Sequence, residues 1–281
     1  WGSAAPCVKR GYELFAVSAD APFSQLVFAG WRFALAGMLV LLVTMLKGHR
    51  IVPKRDEIKP ILAISLFQSM LQYVCYYIGL SGTTGTKGSV LSGTQTFFAL
   101  LLAHCLLPND KLNRRKTLGC ICGFAGVLAL GLGGLNGFNL TGDGLVLLSA
   151  VSAGAGALVS RIYTPGRDPM LLTGWQLLIG GCFLLGVGTA GGGALGRVTL
   201  GGVLLLGYMI VLSAAAFTIW TALLGKFPVG KVSLFGFLIP VFGTLFSALV
   251  LGENIFTARN LAALVLVSGG IAVANSASTK K

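Results

Sequence analysis

Arg32 is the residue whose type and position most invite chemistry. It stands in "FAGWRFALAG", Phe28–Gly37, inside a run that is otherwise apolar from Phe23 to Leu46. At bilayer depth an ionisable side chain costs about 2.5–3.5 kcal/mol on insertion scales, so such groups face a protein interior or a watery cavity rather than lipid. A guanidinium held there can pair with an anionic group such as a carboxylate, which its planar fork of donors matches well. The competing reading is structural: an arginine bonded to carbonyls or to Glu13, tying the first two apolar segments together.

Other polar groups recur at helical spacing. Gln68, Gln72 and Tyr76 are four residues apart and share one helix face. Ser92 and Gln95 (or Thr96) do the same one segment later, and Ser233, Phe237 and Pro240 offer a similar face near the C-terminus. A polar stripe within an apolar helix reads as a solute pathway or a helix contact, not as a lipid face. The substrate-binding candidates are therefore Arg32, Gln72, Tyr76, Ser92, Gln95, Gln176, Trp220 and Phe237. Lys9 and Glu13 lie on one face at a spacing of four. With Arg10 they read as outer-interface groups that snorkel or as part of a cation-rich outer cavity, with Glu13 as an alternative proton-coupling carboxylate. Lys87 and Lys231 are candidates for the mouths of a pathway, against the simpler reading of interfacial anchors.

Catalytic motifs are not found: no Gly-x-Ser-x-Gly, no His-Glu-x-x-His, no P-loop and no paired aspartates within an apolar segment. His104 reads as a structural residue, since no nucleophile or base accompanies it. Six cysteines all lie in apolar stretches, and Cys120-x-Cys122 lacks the spacing and partners of a zinc site. The reading is thus no enzyme, no metal and no cofactor.

The elements that must position these residues follow from composition. Hydrophobic residues make up 55% of the 281 and charged residues 10%, against about 25% charged in an average soluble domain. That is an all-α, multi-pass integral membrane protein. Ten apolar segments of near-spanning length are expected, at about 1–18, 24–46, 60–80, 88–107, 116–134, 143–162, 169–190, 200–224, 231–251 and 255–275. The first is the weakest, and because the chain opens on Trp1 rather than Met it is read as trimmed at its N-terminus.

The net charge of +13 follows membrane topology rather than nucleic acid. Fifteen of the 21 cations fall in alternate connections (Lys47–Lys59, Lys111–Lys116, Arg161 and Arg167, Lys226 and Lys231, Lys280 and Lys281), and only Lys87, Arg197 and Arg259 fall on the opposite side. The positive-inside rule then puts both termini in the cytoplasm of a cell carrying this protein in its inner membrane.

Sliding the chain by 144 residues aligns Gly30-Trp31-Arg32 with Gly174-Trp175-Gln176, Lys87 with Lys231, Ser89 with Ser233, Tyr76 with Trp220 and Gly126 with Gly270. Residues 1–135 and 136–281 therefore read as two five-helix repeats, and an odd number of spans turns the second upside down relative to the first. Inverted repeats suit alternating access, with a solute site between the halves near the midplane. The Gly119-x-x-x-Gly123 face can pack within a protomer or between two, which leaves a homodimer open.

Three stretches carry a family resemblance: "WGSAAP" with Lys9, "WRFALAGMLVLL", and "LGENIFTARNLAALVLVSGGIAVAN" from Leu251 to Asn275. With the repeat, they resemble the EamA-type branch of the drug/metabolite transporter superfamily. The resemblance implies two inverted five-helix repeats, with spans one to four and six to nine around the pathway and five and ten at the periphery. It implies export or exchange of amino acids and related small metabolites. The first half departs from the pattern at Leu107-Pro108-Asn109-Asp110, where Gly-Glu is usual, and the Gly-Ala-Leu-Asn-Lys motif of nucleotide-sugar carriers is not found. Exchange of nucleotide sugars or other organic anions, and proton-coupled efflux of lipophilic drugs, are the alternatives. The expected partners are a small-molecule substrate and the lipid bilayer.

Overall fold

The computed structural model describes residues 1–108, 110–131 and 139–251, and further along only 261, 262, 265, 266, 269, 270 and 273. Among the described residues every regular element is helical. In chain order these are α1 (Ala4–Leu14), α2 (Pro22–Leu46), α3 (Arg55–Ser81), α4 (Lys87–Leu106), α5 (Arg114–Gly131), α6 (Leu140–Tyr163), α7 (Pro169–Ala190), α8 (Leu200–Lys226) and α9 (Val229–Val250). Seven of them, all but α1 and α5, are long and apolar enough to cross a membrane. At 1.5 Å per residue the 11 residues of α1 cover about half of a hydrocarbon core roughly 30 Å thick. The described part of the expected tenth segment is helical, and the motif residues 252–260 lie outside the described residues.

Local chemistry sets the helix ends. α2 and α7 each begin with proline in the first turn, where its missing N–H is unneeded. The Asp168 carboxylate caps α7 by accepting from the Met170 N–H at 2.8 Å, and Thr199 Oγ1 caps α8 by accepting from Gly202 N–H at 3.1 Å. α3 departs from regularity: Leu66–Leu71 is a π-helical stretch. Such a stretch loosens the i→i−4 ladder. Here the Ser152 hydroxyl of α6 donates to the Phe67 carbonyl at 2.7 Å.

Glycine brings α2 and α7 into backbone contact. A Cβ on Gly30 would lie 2.6 Å from both the Leu185 side chain and its backbone nitrogen, and one on Gly37 would lie 2.4 Å from the Leu178 nitrogen. From the other side, Gly174 meets Leu41 and Gly181 meets Ala34 in the same way. The contacts run in opposite order along the two helices, so they are antiparallel. α4 and α9 repeat the arrangement, with Ser89 against Gly243 and Thr96 against Gly236. The Thr96 hydroxyl donates to the Ser233 carbonyl at 2.9 Å.

The Gly119-x-x-x-Gly123 face is used within the chain. A Cβ on Gly270 would come 2.6 Å from the Gly119 carbonyl and 2.9 Å from the Gly123 nitrogen. Large apolar side chains such as Leu46, Leu204, Val211 and Ile219 point outward, as a lipid-facing surface requires. Inside, Tyr12, Phe28, Phe33, Tyr73, Tyr77 and Phe217 form an aromatic core in which rings meet mostly edge to face.

Candidate functional site

Arg32 sits on the buried face of α2 and is 1% exposed. Its Nε donates to Ser213 Oγ of α8 at 2.8 Å, and its Nη1 donates to the Tyr77 hydroxyl of α3 at 3.0 Å. The guanidinium also lies over the Phe33 ring, 5.0 Å from its centroid. These supports are themselves fixed. Ser213 Oγ donates onward to the Met209 carbonyl at 2.8 Å, and the Tyr12 hydroxyl donates to the Tyr77 carbonyl at 2.9 Å. The remaining nitrogen, Nη2, is buried without a hydrogen-bond partner. Every partner of the guanidinium is neutral. The alternative that Arg32 pairs with Glu13 is overturned: Glu13 pairs with Arg10, both side chains about half exposed.

Arg32 opens onto a cavity whose lining is drawn from α1 to α4, α6, α8 and α9. Six of the eight substrate-binding candidates line it: Arg32, Gln72, Tyr76, Ser92, Gln95 and Trp220. The expected stripe on α3 reaches the cavity through Gln68, which lies within the π-helical stretch, Gln72 and Tyr76, and Tyr73 joins them. Two candidates do not join. Gln176 is fully buried in α7 away from the cavity lining, its amide nitrogen and oxygen both without partners. The side chain of Phe237, like that of Pro240, lies outside the described residues.

Sequence reasoning passed over several lining residues. Trp1, Tyr73 and Phe217 supply aromatic walls and Ser149 adds a hydroxyl, while Ser233, part of the face read near the C-terminus, also lines the cavity. Trp1 meets Phe217 and Trp220 edge-on, at 5.3 and 5.0 Å between ring centres. Ser213 was the more readable omission: it is a hydroxyl near the middle of a 27-residue apolar helix.

The candidate mouth residues lie elsewhere. Lys87 makes an ion pair with Asp143, a fully buried carboxylate whose Oδ2 also accepts from the Asn139 N–H at 3.0 Å. Around it, the Gly82 backbone and the Gly142 backbone touch, joining the α3–α4 connection to the start of α6. Lys231 is exposed and lies over the Phe227 ring at 5.4 Å. Neither lysine lines the cavity, nor do Lys9 and Glu13. Among the described residues no group of His, Cys, Asp and Glu could hold a metal ion.

Among the described lining residues the cavity holds one charged side chain, Arg32, within otherwise neutral walls, and comparison with known proteins says what kind of protein carries it. The sequence matches the EamA-like transporter family over residues 1–132 and 140–276. The chain belongs to that family. It is an EamA-type member of the drug/metabolite transporters, a family of transporters rather than enzymes, and an integral, multi-pass membrane protein.

Relatives differ in what their names specify. A WAT1-related chloroplastic protein of Arabidopsis thaliana is 27% identical over 94% of this chain, which spans 64% of that protein's length. A Salmonella typhimurium protein named as a probable amino-acid metabolite efflux pump is 27% identical over 84% of this chain and 83% of its own length. The Bacillus subtilis transporter YoaV, uncharacterized, is 25% identical over 87% of this chain and 85% of its own. One solved crystal structure superposes with a TM-score of 0.76 at 19% identity, over 99% of this chain and 97% of that one. That likeness shows a shared fold.

Proposed function

We propose that this EamA-type protein is a secondary transporter that moves small metabolites bearing a carboxylate, amino acids and their relatives first, by alternating access. The observation that carries the reading is Arg32, a buried guanidinium fixed by Ser213 and Tyr77 with Nη2 unspent at a cavity. A carboxylate supplies both the missing acceptor and the missing counter-charge.

Alternating access rests on two inverted five-helix repeats, residues 1–135 and 136–281, with ten spans and both termini cytoplasmic in an inner membrane. The α2–α7 crossing supports this symmetry. Gly30 meets Leu185 while Gly174 meets Leu41, and Gly37 meets Leu178 while Gly181 meets Ala34. Each pair becomes the other when 144 is added to one member and subtracted from its partner, as a two-fold axis between antiparallel repeats demands. The distribution of cations supports the orientation. Phe237 completes the proposed solute-contacting set, and Lys9, Glu13 and Lys231 are proposed to act at the ends of the pathway.

Counterflow in proteoliposomes tests the function. Vesicles loaded with mixed amino acids and their N-acylated derivatives are expected to accumulate labelled trace solute, and vesicles loaded with sugars are not. Arg32→Gln, checked for folding by size-exclusion chromatography, is expected to lower apparent affinity by roughly 10–100-fold, the value of a hydrogen bond to a charged group. Unchanged affinity in folded Arg32→Gln protein removes the carboxylate role. Exchange with neither pool moves the function to lipophilic efflux.

A further inference from the structure

Arg32 is the one charged side chain among the described residues that line the cavity. The carboxylates nearest in sequence to cavity elements are engaged elsewhere, Glu13 with Arg10 and Asp143 with Lys87. A solute therefore enters a site whose lining side chains carry a net charge of +1, with no carboxylate among them to receive a second cation. One carboxylate neutralises that charge. A zwitterionic amino acid satisfies Arg32 but brings an ammonium, and the loaded cavity stays at +1. Charge left uncompensated inside a membrane protein is costly. Aromatic walls could hold an ammonium by cation–π contact if their faces converged on it. Here Trp1 packs edge-to-face with Phe217 and Trp220 at interplanar angles of 75° and 74°, and the Phe33 face is taken by Arg32 itself.

The unmatched polar atoms at the cavity have a definite chemistry. Besides the donors Arg32 Nη2 and Trp1 Nε1, the acceptor Gln72 Oε1 and the hydroxyl Ser233 Oγ are buried without partners, and all four residues line the cavity. A donor for a carboxylate, an acceptor for an N–H and a hydroxyl for a carbonyl match an acylated amino group next to a carboxylate. From these groups we infer that, within the transport function proposed above on which this rests, the cavity selects monoanionic carboxylates whose nitrogen is an uncharged amide, N-acylated amino acids with an apolar or aromatic body, over the zwitterionic amino acids themselves.

Three probes on the wild-type protein test it: N-acetyl-L-phenylalanine (net −1), L-phenylalanine (net zero, zwitterionic) and N-acetyl-L-phenylalaninamide (uncharged). Each competes for labelled N-acetyl-L-phenylalanine in equilibrium binding to purified protein and in counterflow. The expected order is the acetylated acid at least about tenfold tighter than the free amino acid, with the amide weakest. Gln72→Leu is expected to shrink the gap between acetylated and free acid while leaving the gap between acid and amide. L-Phenylalanine binding as tightly as its acetylated form overturns the inference and leaves carboxylate transport standing. The same follows if the acetylated acid fails to bind while free amino acids, loaded alone, still exchange. If neither free nor N-acylated amino acids exchange, the transport reading falls and takes this inference with it.

Discussion

Arg32 and Lys87 are both cations drawn into a helix bundle, and they are treated in opposite ways. Lys87 meets a buried carboxylate, Asp143, so its charge is neutralised within the chain. Arg32 meets two hydroxyls and the face of a phenyl ring, so its charge is solvated but not neutralised. An ion pair closed within the protein joins elements. A cation held rigidly by neutral partners, with one nitrogen unspent, is still able to take an anion from outside. The contrast supports the proposal that Arg32 meets the solute and treats Lys87 as part of the architecture of one end of the bundle.

The largest stability effect expected from this contrast is at Lys87. Lys87→Met leaves Asp143 buried and unpaired, which costs about 3–5 kcal/mol for a fully buried pair. Lys87 is 19% exposed, so about 2 kcal/mol is expected, a fall in Tm of roughly 4–8 °C for a chain of this size. Thermal unfolding of the purified protein measures it. Adding Asp143→Leu removes the stranded carboxylate and is expected to restore most of the loss, whereas solute preference stays unchanged in both variants. A change in preference for acids over amides in Lys87→Met would break the contrast and bring Lys87 into the pathway.

A smaller effect, and one on function rather than stability, is expected at the supports of Arg32. Tyr77→Phe and Ser213→Ala each delete one neutral acceptor from the guanidinium. Each is expected to raise KM for carboxylate solutes about 3–10-fold, a net of about 0.5–1.5 kcal/mol, with little change in the affinity for amides. Acids and amides weakened alike would mean that the two hydroxyls shape the cavity without aiming Arg32.

How much of this was legible in sequence depends on whether the signal was local. Arg32 announced itself because a charge in an apolar run is expensive wherever the helix packs. The α3 stripe was readable from its spacing of four, but not the π-helical stretch within it, which depends on tertiary contacts such as Ser152 with the Phe67 carbonyl. Gln176, the repeat partner of Arg32, shows where the symmetry argument overreached. Equal depth in two repeats put it on an interior face, but α7 turns that face away from the cavity lining. Glu13 was one of two structural partners read for Arg32, yet α1 is short and turns the carboxylate outward to Arg10. Asp143 went unremarked because an acid at the head of an apolar segment looks like an interfacial residue until the glycine contacts at Gly82 and Gly142 bury it.

The finest test of the contrast uses the pseudo-symmetric partner of Lys87. Lys231 occupies the equivalent position 144 residues on, yet it is exposed and rests on the Phe227 ring rather than on a carboxylate. An exposed cation–π contact is worth about 0.5–1 kcal/mol, so Lys231→Gln is expected to lower Tm by no more than about 3 °C. Equal sequence position would then correspond to unequal energetic roles, because only one of the two lysines faces a buried acid. A drop as large as that of Lys87→Met would instead reveal that both ends of the bundle depend on a lysine at the same repeat position, and the partnership with Asp143 would cease to explain why Lys87 matters.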